Sequence, residues 1–218
     1  MSPPNYHLGD ELLMAYAAGS TNEAQSLLVA SHITFCSECR ARVQEFESLG
    51  GSILMEEPGE ALDQGVLAKT LAALDTSSAE TPSVEAIRTD ELPPGAQWPR
   101  PLHPYLKGRR WQRVLPGVSR IDLDLCWDGE PLRLFSLKPK FKVPKHTHGG
   151  DEYQLVLRGG FTDLGEHYLP GDVAVRDASH EHELYIDDGE PCVTLNVLSA
   201  PLIPRTLLGK IMRKIAGI

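Results

Sequence analysis

Residues 32–39 read HITFCSEC, so one histidine and two cysteines fall within eight positions. On a helix, side chains four positions apart share a face, and His32 and Cys36 can therefore point toward one ion. Cys39 begins the next predicted helix, where the positive end of the helix dipole favours a thiolate. Imidazole and thiolate groups at this spacing suit a tetrahedral zinc ion in a closed structural site. The stretch therefore predicts a zinc-bound helical fold around it.

This first site leaves two alternatives open. A redox Cys-x-x-Cys pair usually accompanies a βαβ unit, which the sequence around Cys36 and Cys39 lacks, and zinc is therefore the favoured interpretation. A fourth ligand must come from elsewhere, and His7 is the only other histidine among the first hundred residues. His7 either completes the site or is a solvated histidine near the N-terminus. The spacing alone does not decide between the two.

The first 75 residues have the pattern of a helical bundle, with apolar residues at helical spacing between capping residues and glycines. The predicted helices are Glu11–Ala18 after a cap at Asp10, one that starts at a Ser20 and Glu23 capping box, Ser37–Leu49 ending at Gly50-Gly51, and Leu62–Leu74. The third helix is predicted to bury Ala41, Val43, Phe46 and Leu49. A bundle of this size has a marginal core, so zinc binding would add directly to its folding free energy.

The text around the first site resembles a known family. Residues 12–20 (LLMAYAAGS) and 30–43 (ASHITFCSECRARV) are similar to the zinc-binding anti-sigma domain of ChrR-type proteins, and the match spans residues 7–75. The resemblance implies that His7 is the fourth zinc ligand beside the histidine and two cysteines of the HITFCSEC stretch. It also implies a partner: an extracytoplasmic-function sigma factor, which such domains clamp so that it cannot bind core RNA polymerase. The Leu62–Leu74 helix would contact that partner, or alternatively pack on its own bundle.

The second half of the chain has the pattern of a β domain. Residues 78–100 are rich in Ser, Thr, Pro and Glu, which is typical of a linker. Beyond Leu102, short segments of β-forming residues alternate with turn residues about every ten positions. The predicted strands include Leu132–Leu137, Tyr153–Leu157, Asp172–Val175, His182–Ile186 and Val193–Leu198. A single β-sandwich or barrel fits this pattern, followed by a short basic helix over Leu207–Ile218.

A second candidate metal site lies in this β domain. His146, His148 and Glu152 follow the pattern His-x-His-x3-Glu on a predicted strand, turn and strand. Side chains two positions apart on a strand point the same way, so both imidazoles can face one ion. A fourth ligand from a more distant strand would complete a set that suits divalent zinc, iron, manganese or nickel.

This spacing resembles the cupin family, whose first motif continues to a glycine at the position of Gly159. Its second motif runs from a Gly-Asp turn to a histidine eleven residues later, which from Gly171 is His182. The resemblance therefore implies that His182 is the fourth ligand of the second site. His180 misses that spacing by two positions and is predicted to lie at the surface or behind the ligands. Lys140, Asp177, Ser179 and Ile186 depart from the cupin pattern, which argues against catalysis more than against metal binding.

Charge and hydropathy restrict the class of partner. Residues 1–100 include 15 acidic and 5 basic residues, whereas residues 101–218 include 15 acidic and 16 basic residues. An acidic first half argues against direct nucleic-acid binding and suits a basic protein partner. No apolar run is long enough to span a membrane and the N-terminus lacks the pattern of a signal peptide, so we expect a cytoplasmic protein that does not bind membranes. The pattern does not predict an oligomeric state.

Together these observations predict an α+β protein of two domains. Residues 1–77 would form the zinc-bound helical bundle, residues 78–100 a linker, and residues 101–218 a cupin β-sandwich, a double-stranded β-helix. The expected function is an anti-sigma factor that releases its sigma factor when the cupin senses a stress, and the resemblance implies oxidative or singlet-oxygen stress. The alternative is a metal-dependent cupin enzyme, such as a small-molecule dioxygenase, with the zinc module as a docking domain. A zinc-dependent scaffold for some other partner is a third interpretation.

Overall fold

Helices form the first part of the chain in the computed structural model, which describes residues 3–76 and 92–216. They are α1 (Asp10–Ala17), α2 (Glu23–His32), α3 (Ser37–Glu56) and α4 (Val66–Thr76). A 3-10 turn at Arg100–Leu102 leads into the short helix α5 (His103–Leu106), and α6 (Leu207–Ala216) follows the last strand. Residues 78–91 of the predicted linker and the last two residues of the predicted C-terminal helix lie outside the described residues.

The two N-terminal caps differ from the prediction. Gly9 occupies the N-cap position of α1, and Asp10 lies inside the first turn, where it pairs with Arg42 of α3. The capping box of α2 is formed by Asn22 and Gln25, each side chain accepting a hydrogen bond from the other residue's backbone N–H. The predicted box at Ser20 is wrong because the Ser20 hydroxyl donates to the carbonyl of Ala15 and closes the end of α1 instead.

Helix α3 continues past the two glycines at which it was predicted to stop. A glycine ends a helix when it adopts a left-handed conformation, and neither Gly50 nor Gly51 has a positive φ. The helix therefore extends to Glu56. Of the predicted inner stripe, Val43 is buried and Phe46 is half-buried, but Ala41 and Leu49 are exposed, so the burial prediction is wrong for these last two.

The apolar side chains at the end of the helical part are exposed. On α4, Leu67, Leu71 and Leu74 expose 71%, 52% and 65% of their surface. The C-terminal half of α3 likewise exposes Leu49, Ile53, Leu54 and Met55. The alternative that the α4 stripe packs on its own bundle is therefore wrong. No helix within residues 3–76 and 92–216 has the length and apolar character needed to cross a membrane.

Within residues 92–216, eleven strands form two antiparallel sheets. The first sheet has the order β1-β2-β3-β10-β5-β8 and the second has the order β11-β4-β9-β6-β7. The strands are β1 (Gln112–Leu115), β2 (Val118–Trp127), β3 (Glu130–Leu137), β4 (Lys142–His148), β5 (Glu152–Arg158), β6 (Phe161–Asp163), β7 (Glu166–Tyr168), β8 (Val173–Arg176), β9 (Glu181–Ile186), β10 (Cys192–Leu198) and β11 (Leu202–Pro204). All five strands predicted from the sequence are present, and the predicted cupin sandwich is confirmed.

The helices and the sandwich share one buried core. Leu13 of α1 and Leu28 of α2 belong to the same apolar cluster as Leu134 and Leu195 of the first sheet, and all four side chains are almost fully buried. Helix α2 packs on strands β2 and β10. Leu92, at the end of the predicted linker, is also buried in this cluster. The helical part is thus held against one face of the cupin by a continuous core.

The remaining two cysteines differ in burial. Cys192 on β10 is fully buried, and its free thiol packs in the second apolar cluster between the sheets. Cys126 on β2 is exposed, although it lies in a strand rich in β-forming apolar residues. Leu123, Leu125 and Trp127 of β2 pack in or against the first apolar cluster, so Cys126 lies on the opposite face of the strand.

Candidate metal centres

The first cluster joins the N-terminal segment to the connection between α2 and α3. His32 is the last residue of α2, Cys36 is the N-cap of α3, and Cys39 lies in the first turn of α3. The Nδ1 atom of His7 lies 3.2 Å from Cys36 Sγ and 3.7 Å from Cys39 Sγ. One ligand atom from each of these four residues lies within 4.8 Å of the others. The structure therefore brings together all four residues predicted for the first site.

The donor set and geometry of this cluster fit a zinc ion. With Zn–S and Zn–N bonds of about 2.3 and 2.0 Å, the ligand atoms of a tetrahedral zinc ion lie about 3.3–3.8 Å apart. The distances from His7 Nδ1 to the two cysteine Sγ atoms, 3.2 and 3.7 Å, agree with this range to within a few tenths of an ångström. The Nε2 atom of His32 is buried without a hydrogen-bond partner, which is unfavourable unless a cation binds it. Both cysteines are buried. The cluster can therefore hold a metal such as zinc.

Electrostatics keep His32 neutral. Burial lowers the pKa of His32 to about 4, so the imidazole carries one proton at neutral pH. That proton lies on Nδ1, which donates a hydrogen bond to the carbonyl oxygen of Gly171 at 2.9 Å. The Nε2 lone pair is then available to a metal, an arrangement common among zinc-ligating histidines. Burial raises the pKa of the Cys39 thiol to about 12, so a metal ion would have to displace its proton.

The second cluster lies inside the cupin. His146 and His148 are on β4, Glu152 begins β5, and His182 is on β9 directly opposite His146. All four side chains are buried, and one ligand atom from each lies within 4.8 Å of the others. His180 is half-buried, and its ring lies 2.8 Å from the carboxylate of Asp177, outside the cluster. The structure therefore brings together the four residues predicted for the second site.

Close contacts within this cluster also fit a cation. The Nε2 atoms of His148 and His182 lie 2.8 Å apart, and Glu152 Oε2 lies 3.2 Å from His148 Nε2. Burial lowers the pKa values of His146 and His148 to about 4 and 3, and it raises the pKa of Glu152 to about 8. At neutral pH and without a cation, His146 and His148 are therefore neutral and the Glu152 carboxyl is protonated. Three imidazoles and one carboxylate are a ligand set for a divalent transition metal.

A buried carboxylate missed by the sequence interpretation supports this second cluster. The Nδ1–H of His182 donates to Asp163 Oδ2 at 2.8 Å, which directs Nε2 of the same ring into the site. Arg176 in turn donates to Asp163 Oδ2 at 2.9 Å, so the buried carboxylate is paired. No sequence motif indicates this role, because Asp163 precedes an ordinary Leu-Gly turn and the contact depends on the pairing of β6 with β9.

One turn of the cupin contacts both the first cluster and the N-terminal segment. Asp172 Oδ1 accepts hydrogen bonds from the backbone N–H groups of Asn5 and Tyr6, and the N–H of Val173 donates to the carbonyl of Tyr6. Gly171 has φ +100°, and a Cβ there would lie 2.9 Å from Phe35 Cβ. The turn before β8 thus holds the residue preceding His7 as well as His32.

Comparison with known proteins agrees with the predicted resemblance. No family model matches the chain. The anti-sigma-E factor ChrR of Cereibacter sphaeroides is 37% identical over 213 residues, which cover 95% of this chain and 96% of that protein. A crystal structure of Rhodobacter sphaeroides SigE in complex with the anti-sigma ChrR matches 89% of this chain and 98% of that one, with 35% identity and a TM-score of 0.71.

An RmlC-like cupin protein from Ralstonia eutropha matches 46% of this chain and 69% of its own, with 18% identity and a TM-score of 0.42. The ChrR relative differs from such partial matches in spanning almost the whole length of both chains, helices and cupin together. A relative this similar over this length establishes common descent of the entire architecture. The chain therefore belongs to the ChrR family of anti-sigma factors.

Proposed function

We propose that this chain binds an extracytoplasmic-function sigma factor through its helical part, keeps it from core RNA polymerase, and releases it when the cupin responds to a stress. The observation that carries the proposal is the full-length similarity to ChrR, whose crystal structure was determined in complex with SigE. The relevant signal is oxidative, singlet oxygen in particular. In this proposal the cupin is a receptor rather than an enzyme.

The exposed apolar side chains of α3 and α4 support a protein partner for the helical part. Met55 at the end of α3 exposes 84% of its surface, and Leu67 on α4 exposes 71%. Exposed apolar side chains in such number mark interaction sites, because leaving them in water is unfavourable. The acidic surroundings of these helices would also attract a basic surface. We therefore assign the sigma-binding surface to the C-terminal half of α3 together with α4.

Zinc has a structural role in this proposal. His7, His32, Cys36 and Cys39 would hold the ion, which supplies a crosslink between the N-terminal segment, the end of α2 and the start of α3. The chain itself prepares the site: the N-cap geometry of α3 brings Cys36 Sγ within 3.3 Å of the backbone N of Cys39. The binding free energy of a structural zinc adds directly to folding stability.

A divalent metal in the cupin would be the sensing element. His146, His148, Glu152 and His182 would hold zinc, iron, manganese or nickel, since the ligand types do not select one of these. The ion supplies Lewis acidity and an open coordination position. The residues of the chain exclude bulk water, orient the imidazoles through Asp163 and the Pro144 carbonyl, and keep Glu152 buried.

The domain organisation remains a proposal of the same kind: a helical sigma-binding domain over residues 1–77, a linker over residues 78–100 and a cupin over residues 101–218. The shared core and the turn at Gly171 support a resting arrangement in which the cupin is docked on the helices. Release then requires a second arrangement in which this contact is weakened.

Co-purification tests the sigma-binding function. The chain would be co-expressed with an extracytoplasmic-function sigma factor encoded beside it, and we expect the two to elute as one complex. Leu71→Asp on α4 places a charge in the proposed interface and should weaken binding by at least about tenfold, because a buried unpaired charge costs several kcal/mol. Thr70→Asp, at an exposed polar position of the same helix, is the control. Equal binding by both variants would exclude α4 from the interface.

A further inference from the structure

A cavity of about 80 Å³ lies between the two cupin sheets, and most of its wall is apolar. Three phenylalanine rings line it, from strands β3 and β6 and from the loop before β4, together with aliphatic side chains. The apolar lining includes Phe135, Phe141, Phe161, Leu184 and Ile186. One water molecule needs about 10–15 Å³ of such space, so the cavity has room for about five to eight groups of that size. A small molecule with an apolar body fits this volume and lining.

One part of the wall is polar and coincides with the second metal cluster. His146 and Glu152 line the cavity, whereas His148 and His182 do not. Gln154, Thr194 and Asn196 lie in the same wall, and Thr194 donates to Asn196 at 2.7 Å. Glu130 and Arg133 also line the cavity, and Arg133 is paired with Asp122. A metal held by the four ligands would therefore reach the cavity on the side of His146 and Glu152. A molecule in the cavity would therefore approach the metal from the side of these two ligands.

The charge of the site selects the head group of the molecule. A divalent ion with Glu152 as its single anionic ligand leaves one positive charge in a buried place. A buried charge without a partner is strongly unfavourable, so an anionic oxygen ligand stabilises the site by neutralising it. The same molecule must place apolar atoms against the aromatic wall. A carboxylate with a short hydrocarbon tail meets both requirements.

Helix α6 supplies the remaining wall. Met212 of α6 lines the cavity, while its neighbour Ile211 exposes half of its surface to solvent. Gly209 fixes the helix closely on the sandwich, since a Cβ at that position would lie 3.1 Å from Pro204 Cβ. The flexible Met212 side chain therefore sits where it can limit the length of a bound tail.

We propose that the cupin cavity binds a monocarboxylate with a tail of about four to six carbons, with the carboxylate at the His146–Glu152 end and the tail against the aromatic wall and Met212. This inference rests on the proposed cupin metal. The effector of the metal site would then be a small carboxylate. Its binding would favour one of the two proposed arrangements, the one with the cupin docked on the helices or the one in which this contact is weakened.

Calorimetry on the full-length chain tests the inference. The protein is loaded with zinc, its zinc content is measured, and hexanoate, acetate and 1-hexanol are titrated separately. We expect two zinc ions per chain and hexanoate binding at least about tenfold tighter than either comparison compound, because acetate lacks four buried methylenes and hexanol lacks the anion. Met212→Trp should weaken hexanoate binding at least about fivefold by filling the cavity, and Ile211→Trp on the solvent side should not.

The outcomes separate the inference from the proposal on which it rests. One zinc ion per chain would contradict the proposed cupin metal and overturn the inference with it. Two zinc ions with no preference for hexanoate over acetate and hexanol would overturn the inference alone. Equal affinities of the Met212→Trp and Ile211→Trp proteins for hexanoate would place the tail elsewhere and overturn the assigned cavity.

Discussion

The Nδ1 atom of His32 donates a hydrogen bond of 2.9 Å to the carbonyl oxygen of Gly171, although the two residues are 139 positions apart. His32 belongs to the proposed zinc site and Gly171 to the turn before β8 of the cupin. The same turn binds the backbone of Tyr6 through Asp172, next to His7. Two of the four proposed zinc ligands are therefore positioned by the cupin. A movement of this turn would therefore change the helical part even if the cupin itself did not contact the sigma factor.

A methyl group at Gly171 should disrupt this contact. Gly171→Ala introduces a Cβ 2.9 Å from Phe35 Cβ and forces alanine to φ +100°. The strain and the clash together should lower the free energy of unfolding by about 2–4 kcal/mol, measured by urea denaturation. Gly165→Ala is the matched control, since Gly165 has φ +85° but open space around its Cβ position. An equal loss in both variants would show that only backbone strain is involved.

Removal of the Asp172 carboxylate should loosen the N-terminal segment. Asp172→Ala deletes acceptors for the backbone N–H groups of Asn5, Tyr6 and Leu169. We expect faster zinc release from the first cluster to a thiol reagent, by about tenfold or more, because hydrogen bonds to a charged group contribute about 1.5–3 kcal/mol each. Asp177→Ala, in an exposed turn of the cupin, is the control. Unchanged release from Asp172→Ala would contradict a role of the cupin in positioning His7.

The pH dependence of metal binding in the cupin should follow Glu152. Burial raises the pKa of this carboxyl to about 8 in the metal-free protein, so a metal must displace its proton at lower pH. The apparent affinity should rise up to about tenfold per pH unit between about pH 6 and 8 and then level off. His146 and His148, with pKa values lowered to about 4 and 3, are already neutral there. Competition with a chelator between about pH 6 and 8 measures this affinity. In Glu152→Gln, which has no carboxyl proton to displace, the affinity should not depend on pH across the same range.

Asp163 should act on the cupin metal through His182. In Asp163→Asn the acceptor of the His182 Nδ1–H loses its charge, and the affinity for the cupin metal should fall by about 10–100-fold. Zinc in the first cluster should remain, which metal analysis after mild chelation can establish. Asp188→Asn, at an exposed position of the same sandwich, should change neither site. A loss of both metals from Asp163→Asn would indicate general unfolding rather than a positioning role.

Local spacing explains why both clusters were predictable from the sequence. Cys36 and Cys39 lie within one helical turn, and His146 and His148 lie on one strand, so their geometry follows from secondary structure alone. The family resemblances then indicated the distant His7 and His182. The contact of Gly171 with His32 and the hydrogen bond of Asp163 with His182 depend instead on how the elements pack in three dimensions. Residue spacing in the sequence does not predict them.

Helix ends were less predictable for a similar reason. Gly50 and Gly51 resemble a stop signal, but a glycine ends a helix only when it turns left-handed, and the following residues favour continuing α3 to Glu56. The extension matters for function, because it adds Ile53, Leu54 and Met55 to the exposed apolar surface proposed to bind the sigma factor. The strands were predicted better, since turn residues separate them at regular intervals.

The central claim is that a zinc-ordered helical part binds the sigma factor. The most direct test measures the affinity of the Cys36→Ser, Cys39→Ser double variant for the sigma factor, beside the variant Cys126→Ser at the exposed cysteine outside both clusters. We expect the double variant to contain at most the cupin metal and to lose at least about 100-fold in affinity, since structural zinc sites supply folding free energy directly. Cys126→Ser should bind like the original protein. Unchanged binding by a zinc-free double variant would contradict the account.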